Sequence, residues 1–398
     1  MKIPLVVSCL CSTVFIGGHF SSLRAETHTA RGFERFYNLE YDEAIADFES
    51  GIALEPAAPG LRNHLAQALL FREMFRAGAL ESEMVTGSNP FLRREKLEPS
   101  PEVQTRILAL LDEAARLARN QIARDAGNTR ALYQLGVTHG LRANFLFIVR
   151  KAWMESLREA TAGRKLHNRV TELDPKFTDA RLMQGMHDYV IGSLPWTWKL
   201  LGFLAGYRGN KDEGIRTVRQ VAAEGDLNRR DAAILLAIIY RRERRPREAV
   251  PLLEELIRVF PRNYLFRLEL VQMYSDLIEK QKALDVLAEL ESRKRSGEAG
   301  YKRMPIEKVY FSRGTLQFWY RDFEAAVGNF RRVAARADDM DLNTALMTWM
   351  RLGQLHDLLG RRVEAQAAYR NAVALAPQSE VAKECRGYLR SPYRRKKS

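Results

Sequence analysis

The chain has 398 residues, of which 46% are hydrophobic and 28% charged; that apolar content suffices for a packed core and excludes an intrinsically disordered polypeptide. Three cysteines are too few for a disulfide-built scaffold, and 14 prolines leave room for long helices. The excess of Lys and Arg gives a net charge of +14, which favours acidic proteins, anionic lipid surfaces or nucleic acid as partners.

Lys2, an apolar run from Ile3 to Phe20, and then Ser21, Ser22, Leu23, Arg24 and Ala25 make the charged, apolar and small-residue segments of a secretory signal peptide. Cleavage after Ala25 is expected, giving an exported protein, periplasmic or secreted. Two other readings stay open. One is an uncleaved N-terminal anchor, which Gly17, Gly18 and His19 weaken; the other is a lipoprotein signal at Val6–Cys9, which stands very close to Met1. Cys9 and Cys11 fall inside the signal, so the mature chain keeps Cys385 alone and forms no internal disulfide. Export argues against nucleic acid as the partner. No later stretch approaches the ~18 uninterrupted apolar residues of a membrane span.

From Ala25 onward the chain repeats with a period of about 34 residues. The first window places Gly32, Tyr41, Ala44, Phe48 and Pro56 at equivalent offsets. The second opens at Pro59 with a helix over 61–77, but its partner helix, over 108–124, arrives late, behind a polar stretch rich in Gly, Pro and charge that reads as an exposed loop. The third opens at Thr129 with Tyr133, Leu135 and Gly136, and the fourth at Thr178 with Gly185; in both the second helix is again delayed. The fifth (Leu236, Ala237, Tyr240, Ala249, Leu253, Pro261) and sixth (Leu270, Tyr274, Ala283, Leu287) are regular. A polar linker follows, then the seventh unit with Gly314, Phe323, Ala326 and Phe330.

The eighth unit is the clearest. Apolar residues recur at helical spacing up to Leu359, Gly353 leaves space for a paired helix, Gly360 ends the first helix, Ala365 and Ala372 are small on the contact face, Tyr369 fills the gap and Pro377 stops the second helix. Trp349, Leu352, Gly353, Ala365, Tyr369, Ala372 and Pro377 stand at the offsets W-x2-L-G…A-x3-F…P, and this resembles the tetratricopeptide repeat, a helix-turn-helix unit. The whole mature chain is similar to tetratricopeptide-repeat proteins. A second, local resemblance lies over 178–215: Gly185, Tyr189, Leu194-Pro195, Lys199-Leu200-Leu201, Gly206-Tyr207, Gly209 and Gly214-Ile215 are similar to the insertion of the eukaryotic inclusion-body-clearance family of tetratricopeptide proteins, which implies lipid-droplet-linked handling of aggregates. That family is intracellular, and the signal peptide here departs from it.

The expected fold is all-α, a right-handed α-solenoid of about eight tetratricopeptide-like helix pairs, three with insertions, plus a C-terminal capping helix. Its expected parts are a signal peptide over 1–25, units one and two with a long loop over 26–128, and units three and four with apolar insertions over 129–229. Units five and six follow over 230–291, a linker over 292–306, units seven and eight over 307–379, the capping helix over 380–390 and a disordered basic tail over 391–398.

The sequence contains no phosphate-binding glycine loop, zinc-protease histidine pair, nucleophile elbow or paired-cysteine metal pattern, so neither an enzyme, a cofactor nor a metal is expected. His139 and His167 belong to the two helices of one unit and can meet; a packed, hydrogen-bonded pair accounts for them without a metal. The expected function is an exported, non-enzymatic scaffold that takes a protein or peptide partner in the concave groove built by first helices. Groove candidates are Tyr133, Leu182, Met186, Tyr189, Ile234, Phe311, Phe318 and Trp319. The alternative is binding to a lipid or an anionic membrane surface through an apolar edge carrying Phe145, Phe147 and Trp153 from the third insertion and Trp196, Trp198 and Phe203 from the fourth. Mutual packing of those two insertions is the expectation that competes with an open ledge.

Overall fold

A computed structural model describes residues 13–80, 97–194 and 209–395, with side chains from Arg24 onward. Among the described residues there are seventeen α-helices and no strand. The contacts divide them into two compact units. The first holds the described residues up to Arg72 and those from Pro99 to Lys176; the second holds those from Glu73 to Glu98 and from Phe177 onward.

The first unit contains α1 (Thr13–Tyr37) and α2 (Tyr41–Leu54), α3 (Pro59–Arg76) as far as Arg72, α4 (Pro101–Arg124), α5 (Thr129–Phe145) and α6 (Trp153–Leu173). Its pairs close where a glycine faces a ring. A Cβ on Gly32 would lie 2.6 Å from the Phe48 ring, and one on Gly136 would lie 2.2 Å from the His167 ring. Caps set the starts: the Ser100 hydroxyl accepts from Val103 N at 3.4 Å with Pro101 at the first helical position, and Asn128 Oδ1 accepts from Ala131 N at 2.9 Å. Buried Asn63 ties α3 to α5, donating to Gln134 O at 3.0 Å and accepting from Thr138 Oγ1 at 2.9 Å.

The delay in the third pair becomes longer helices, whereas in the second pair only the start of the partner helix moves, and residues 81–96 of the expected loop lie outside the described residues. The partner helix expected over 108–124 starts at Pro101, because Ser100-Pro101 is a better helix start than any later residue. In the third pair, α5 runs into a single π-helical turn, Leu146–Arg150, and Lys151 at φ 54° reverses the chain into α6. The third insertion is therefore helix extension, with Phe145 and Val149 buried at helical spacing.

The second unit stacks five further pairs: α7 (Arg181–Gly192) with α8 (Lys211–Glu224), α9 (Arg229–Arg242) with α10 (Pro246–Val259), α11 (Tyr264–Asp276) with α12 (Lys280–Arg295), α13 (Ile306–Trp319) with α14 (Phe323–Ala334), and α15 (Leu342–Leu358) with α16 (Arg362–Leu375). The helix α17 (Glu380–Arg390), capped by Ser379, covers the last pair with Ala382 and Cys385. Among the described residues the helix pairs and the capping helix make an all-α fold, as the repeat phase implies. The expected linker over 292–306 is shorter, because α12 continues through Arg295. The fourth insertion leaves and returns at one point: a Cβ on Gly192 would lie 2.3 Å from Lys211 N, and one on Gly209 would lie 2.7 Å from Ile191. Trp196, Trp198 and Phe203 lie outside the described residues, so the packing expected of that insertion does too.

One turn recurs where the first helix of a pair hands over to the second. Leu39, Arg244, Ile278, Arg321 and Gly360 all take φ between 56° and 75°. In each, the next amide donates back to a carbonyl five residues earlier, as in Glu279 N to Tyr274 O at 2.8 Å and Arg361 N to His356 O at 2.8 Å. These bonds satisfy carbonyls that the helix end leaves open. Four of the five turns are made without glycine, against a left-handed cost of about 1–2 kcal/mol per residue.

Candidate partner-binding face

In the second unit the first helices form a continuous face: α11 touches α13, α13 touches α15, and Arg241 of α9 reaches Glu269 of α11. A cleft opens between α11 and α13. Leu265, Leu268, Gln272 and Ser275 line it from α11, and Lys308, Ser312 and Thr315 from α13. Within each helix these positions are three or four residues apart, so they form one stripe. Val271, Phe311 and Leu316 are buried beneath. The lining mixes apolar groups with neutral donors and acceptors, and the Thr315 hydroxyl has no hydrogen-bond partner among the described residues.

The charged groups at the cleft are neutralised in place. Arg241 Nη1 donates to both Glu269 oxygens, at 2.9 and 2.8 Å, from a side chain 6% exposed. Lys308 Nζ donates to Asp341 Oδ2 at 2.5 Å and to Thr344 Oγ1 at 2.7 Å. Asp341 is the N-cap of α15 and also accepts from Thr344 N at 3.0 Å. Burial pushes its carboxyl up, but the Lys308 ammonium and these hydrogen bonds outweigh it and hold the group below the usual carboxylate range. The cleft therefore offers shape and hydrogen bonds rather than net charge.

Both ends of the face carry segments of this chain. Near the start of α11, the Phe75 and Tyr264 rings are 6.3 Å apart, and Gly78, at φ 65°, leaves no room for a Cβ against Asp341. At the other end the tail expected to be disordered is docked as far as Arg395. Tyr393 N donates to Asp357 Oδ2 at 2.7 Å, and Arg395 donates to the carbonyls of Phe318 and Trp319. Phe318 O also accepts from Arg321 N at 3.3 Å, so the guanidinium adds a further donor at the last turn of α13.

The groove candidates divide by burial. Trp319 is 47% exposed and Leu182, Met186 and Ile234 are half-buried, so these four have surface to offer. Tyr133, Tyr189, Phe311 and Phe318 are buried and occupy core positions instead. Tyr133 stacks on His167 with ring centroids 5.0 Å apart, and Phe311 meets Phe330 edge-on at 5.7 Å. Tyr189 donates to Glu243 at 3.1 Å, and burial pushes its phenol up to about 12. Large aromatics in first helices fill the gap to the second helix, and the exposed stripe falls to smaller polar residues that carry no sequence signal of their own. Gln272, Ser275, Ser312 and Thr315 were missed for that reason; their three-and-four spacing on consecutive first helices is the signal that finds them.

On the proposed apolar edge, Phe145 is fully buried, Phe147 is half-buried and Trp153 is 38% exposed. His139 pairs with Glu159 at 2.6 Å and His167 with Tyr133 O at 3.1 Å, each within its own surroundings. No group of three or more metal-ligating side chains occurs among the described residues. Cys385 is buried, and burial pushes its thiol up to about 12, so it stays protonated at neutral pH and is a poor nucleophile. Among the described residues no helix is long and apolar enough to cross a membrane.

Within the second unit, stacked helix pairs with a continuous first-helix face give an α-solenoid architecture. Residues 348–379, the eighth helix pair, match the family model of the tetratricopeptide repeat. Among solved structures the chain is similar to yeast Tom70, at 13% identity over 93% of this chain and 96% of that one, with a TM-score of 0.41. It is also similar to a thermophilic tetratricopeptide-repeat protein of Thermus thermophilus, at 15% identity over 64% and 99% of the two chains, with a TM-score of 0.35. A third is YrrB, a tetratricopeptide-repeat protein with an unusual peptide-binding site, at 12% identity over 69% and 99%, with a TM-score of 0.31. No curated protein sequence matches the chain.

Proposed function

We propose that this protein is an exported, non-enzymatic scaffold that takes a peptide segment of a protein partner along the first-helix face of its second unit. The observation that carries this reading is the cleft between α11 and α13, with its apolar floor and its neutral polar stripe. Such a lining suits a segment that inserts one or two apolar side chains and bonds its backbone to Gln272, Ser312 and Thr315. Filling the cleft with Leu268→Arg and Ser312→Arg should abolish capture of the partner while helical content stays unchanged; capture at the parental level would reject the site. Export is tested separately, by mass spectrometry of the N-terminus in the exported fraction. Glu26 as the first residue supports it, and an intact Met1 or a lipid on Cys9 counts against it.

A second reading keeps the lipid surface as partner, supported by one feature of the first unit. Trp153 and Met154 are exposed at the start of α6, the Phe147 and Trp153 rings meet edge-on at 4.7 Å, and Lys151 lies 6.0 Å from the Phe147 ring. An indole beside an ammonium suits headgroup depth. Co-sedimentation with anionic vesicles that is lost in Trp153→Ala supports this reading; sedimentation that does not depend on Trp153 removes it.

A further inference from the structure

The tail beyond α17 is held by groups that any peptide could bring. Ser391 leaves the helix in extended backbone, and Ser391, Pro392 and Arg394 are exposed. The attachments are few. One backbone amide, that of Tyr393, donates to Asp357; the Tyr393 ring sits 6.5 Å from Phe318 and 5.4 Å from Tyr388; Arg395 donates to Phe318 O at 3.3 Å and Trp319 O at 3.0 Å. The receiving surface is complete without it. Asp357 still accepts from Arg362 at 2.8 Å and from the Tyr369 hydroxyl at 2.9 Å, and Arg351 already lies 4.8 Å from the Phe318 ring. Arg395 adds a second guanidinium to the same indole: Arg351 is 5.6 Å and Arg395 5.4 Å from the Trp319 ring.

We propose that Ser391–Arg395 is a displaceable ligand built into the chain, covering the end of the first-helix face at Phe318 and Trp319. The partner segment that competes with it is an extended peptide carrying an aromatic residue and an arginine two positions later, the pattern of Tyr393 and Arg395. This rests on the reading of that face as the partner surface and adds its regulation. Thr315 and Leu316 of the cleft stand one turn before Trp319 on α13, so a peptide long enough to leave the cleft in that direction meets the tail. A tether this short presents its own segment at an effective concentration in the millimolar range, so the tail stays seated when its intrinsic Kd is below about 1 mM.

The test uses the fluorescein-labelled peptide SPYRRKKS, residues 391–398 of this chain, titrated by anisotropy against the full chain and against a chain ending at Ser391. The shortened chain keeps all of α17. Saturable binding to it with Kd below about 1 mM, at least tenfold weaker binding to the full chain, and weakening by Tyr393→Ala or Arg395→Ala in the peptide are the expected results. A shortened chain with unchanged helical content that gives no saturation at several millimolar overturns the proposal, as does equal binding to both chains. The cleft variant Leu268→Arg with Ser312→Arg, made in the shortened chain, separates the two readings. It should bind the tail peptide normally yet lose the partner, so failure of one reading is distinguishable from failure of the other.

Discussion

Replacing Lys308 by Met should destabilise the second unit by an amount readable from the geometry. Lys308 and Asp341 have side chains 8% and 7% exposed and meet at 2.5 Å, which makes them a buried ion pair between α13 and the first turn of α15. Met keeps most of the packing volume but strips the carboxylate of its cation, leaving it with two donors, Thr344 N and Thr344 Oγ1. Removing one partner of a buried pair costs about 3–5 kcal/mol, a large fraction of the ~5–15 kcal/mol that keeps a domain folded. The double variant Lys308→Met with Asp341→Ser removes the stranded charge and retains a helix cap, so it should recover all but about 1–2 kcal/mol. The sign of the pH effect follows from Asp341. Its carboxyl is depressed in the folded protein, so the stability it contributes is present above the ordinary carboxylate pKa near 4 and is lost as pH falls through the lower folded value. In Lys308→Met only the two Thr344 hydrogen bonds still oppose burial and the carboxyl protonates more readily, so the gap to the parent should narrow on acidification. Urea unfolding followed by circular dichroism at pH 7 and pH 4 measures both. A cost below about 1 kcal/mol at pH 7, or a gap that does not narrow, would refute the reasoning.

Three further outcomes are expected. Gly353→Ala places a Cβ 2.3 Å from the buried Tyr369 ring and should cost about 1–3 kcal/mol, whereas Gly314→Ala, 3.1 Å from Phe330, should be near neutral once helix propensity is counted; denaturant midpoints in the reverse order would contradict this. Ile278, 79% exposed at φ 64°, holds a β-branched side chain in a left-handed turn, so Ile278→Gly should raise stability by up to about 1 kcal/mol; a lowered thermal midpoint would count against the turn's strain. His64 sits between the Phe33 and Phe48 rings, and burial lowers its pKa to about 4. The unfolded chain therefore binds the extra proton between pH 6.5 and 4, and the first unit should lose up to ~3 kcal/mol across that window, a loss that His64→Gln removes.

The repeat phase was legible because it rests on residue size. Gly32 with Phe48 and Gly353 with Tyr369 are contacts in which only a hydrogen fits opposite a ring, Gly314 with Phe330 is a looser version of the same contact, and the sequence writes them as glycine and aromatic at fixed offsets. The capping helix followed from the same reasoning. What stayed hidden leaves no mark in residue type. Nothing local marks Arg244 or Ile278 as left-handed, since the helix-end hydrogen bonds that hold them there outweigh their side-chain preference. The late second helix of unit three read as an insertion because period arithmetic cannot tell a loop from two longer helices. At the candidate face, exposure was assigned to aromatics that the pair interior needed, as with Phe318 and Tyr133, while Lys308 gave no sign of its burial until Asp341 was placed beside it. The tail, read from composition as disordered, is docked through one amide and one guanidinium, interactions that composition does not record.

The central claim is that the partner lies on the first-helix face of the second unit, and site-specific photo-crosslinking tests it most directly. A photoreactive residue at Gln272, on the cleft, is compared with one at Val363, 78% exposed on the second helix α16. Crosslinking of the partner from position 272 but not from 363, lost when Leu268→Arg and Ser312→Arg fill the cleft, is the predicted result. Equal crosslinking from both positions, or crosslinking from 363 alone, would contradict it.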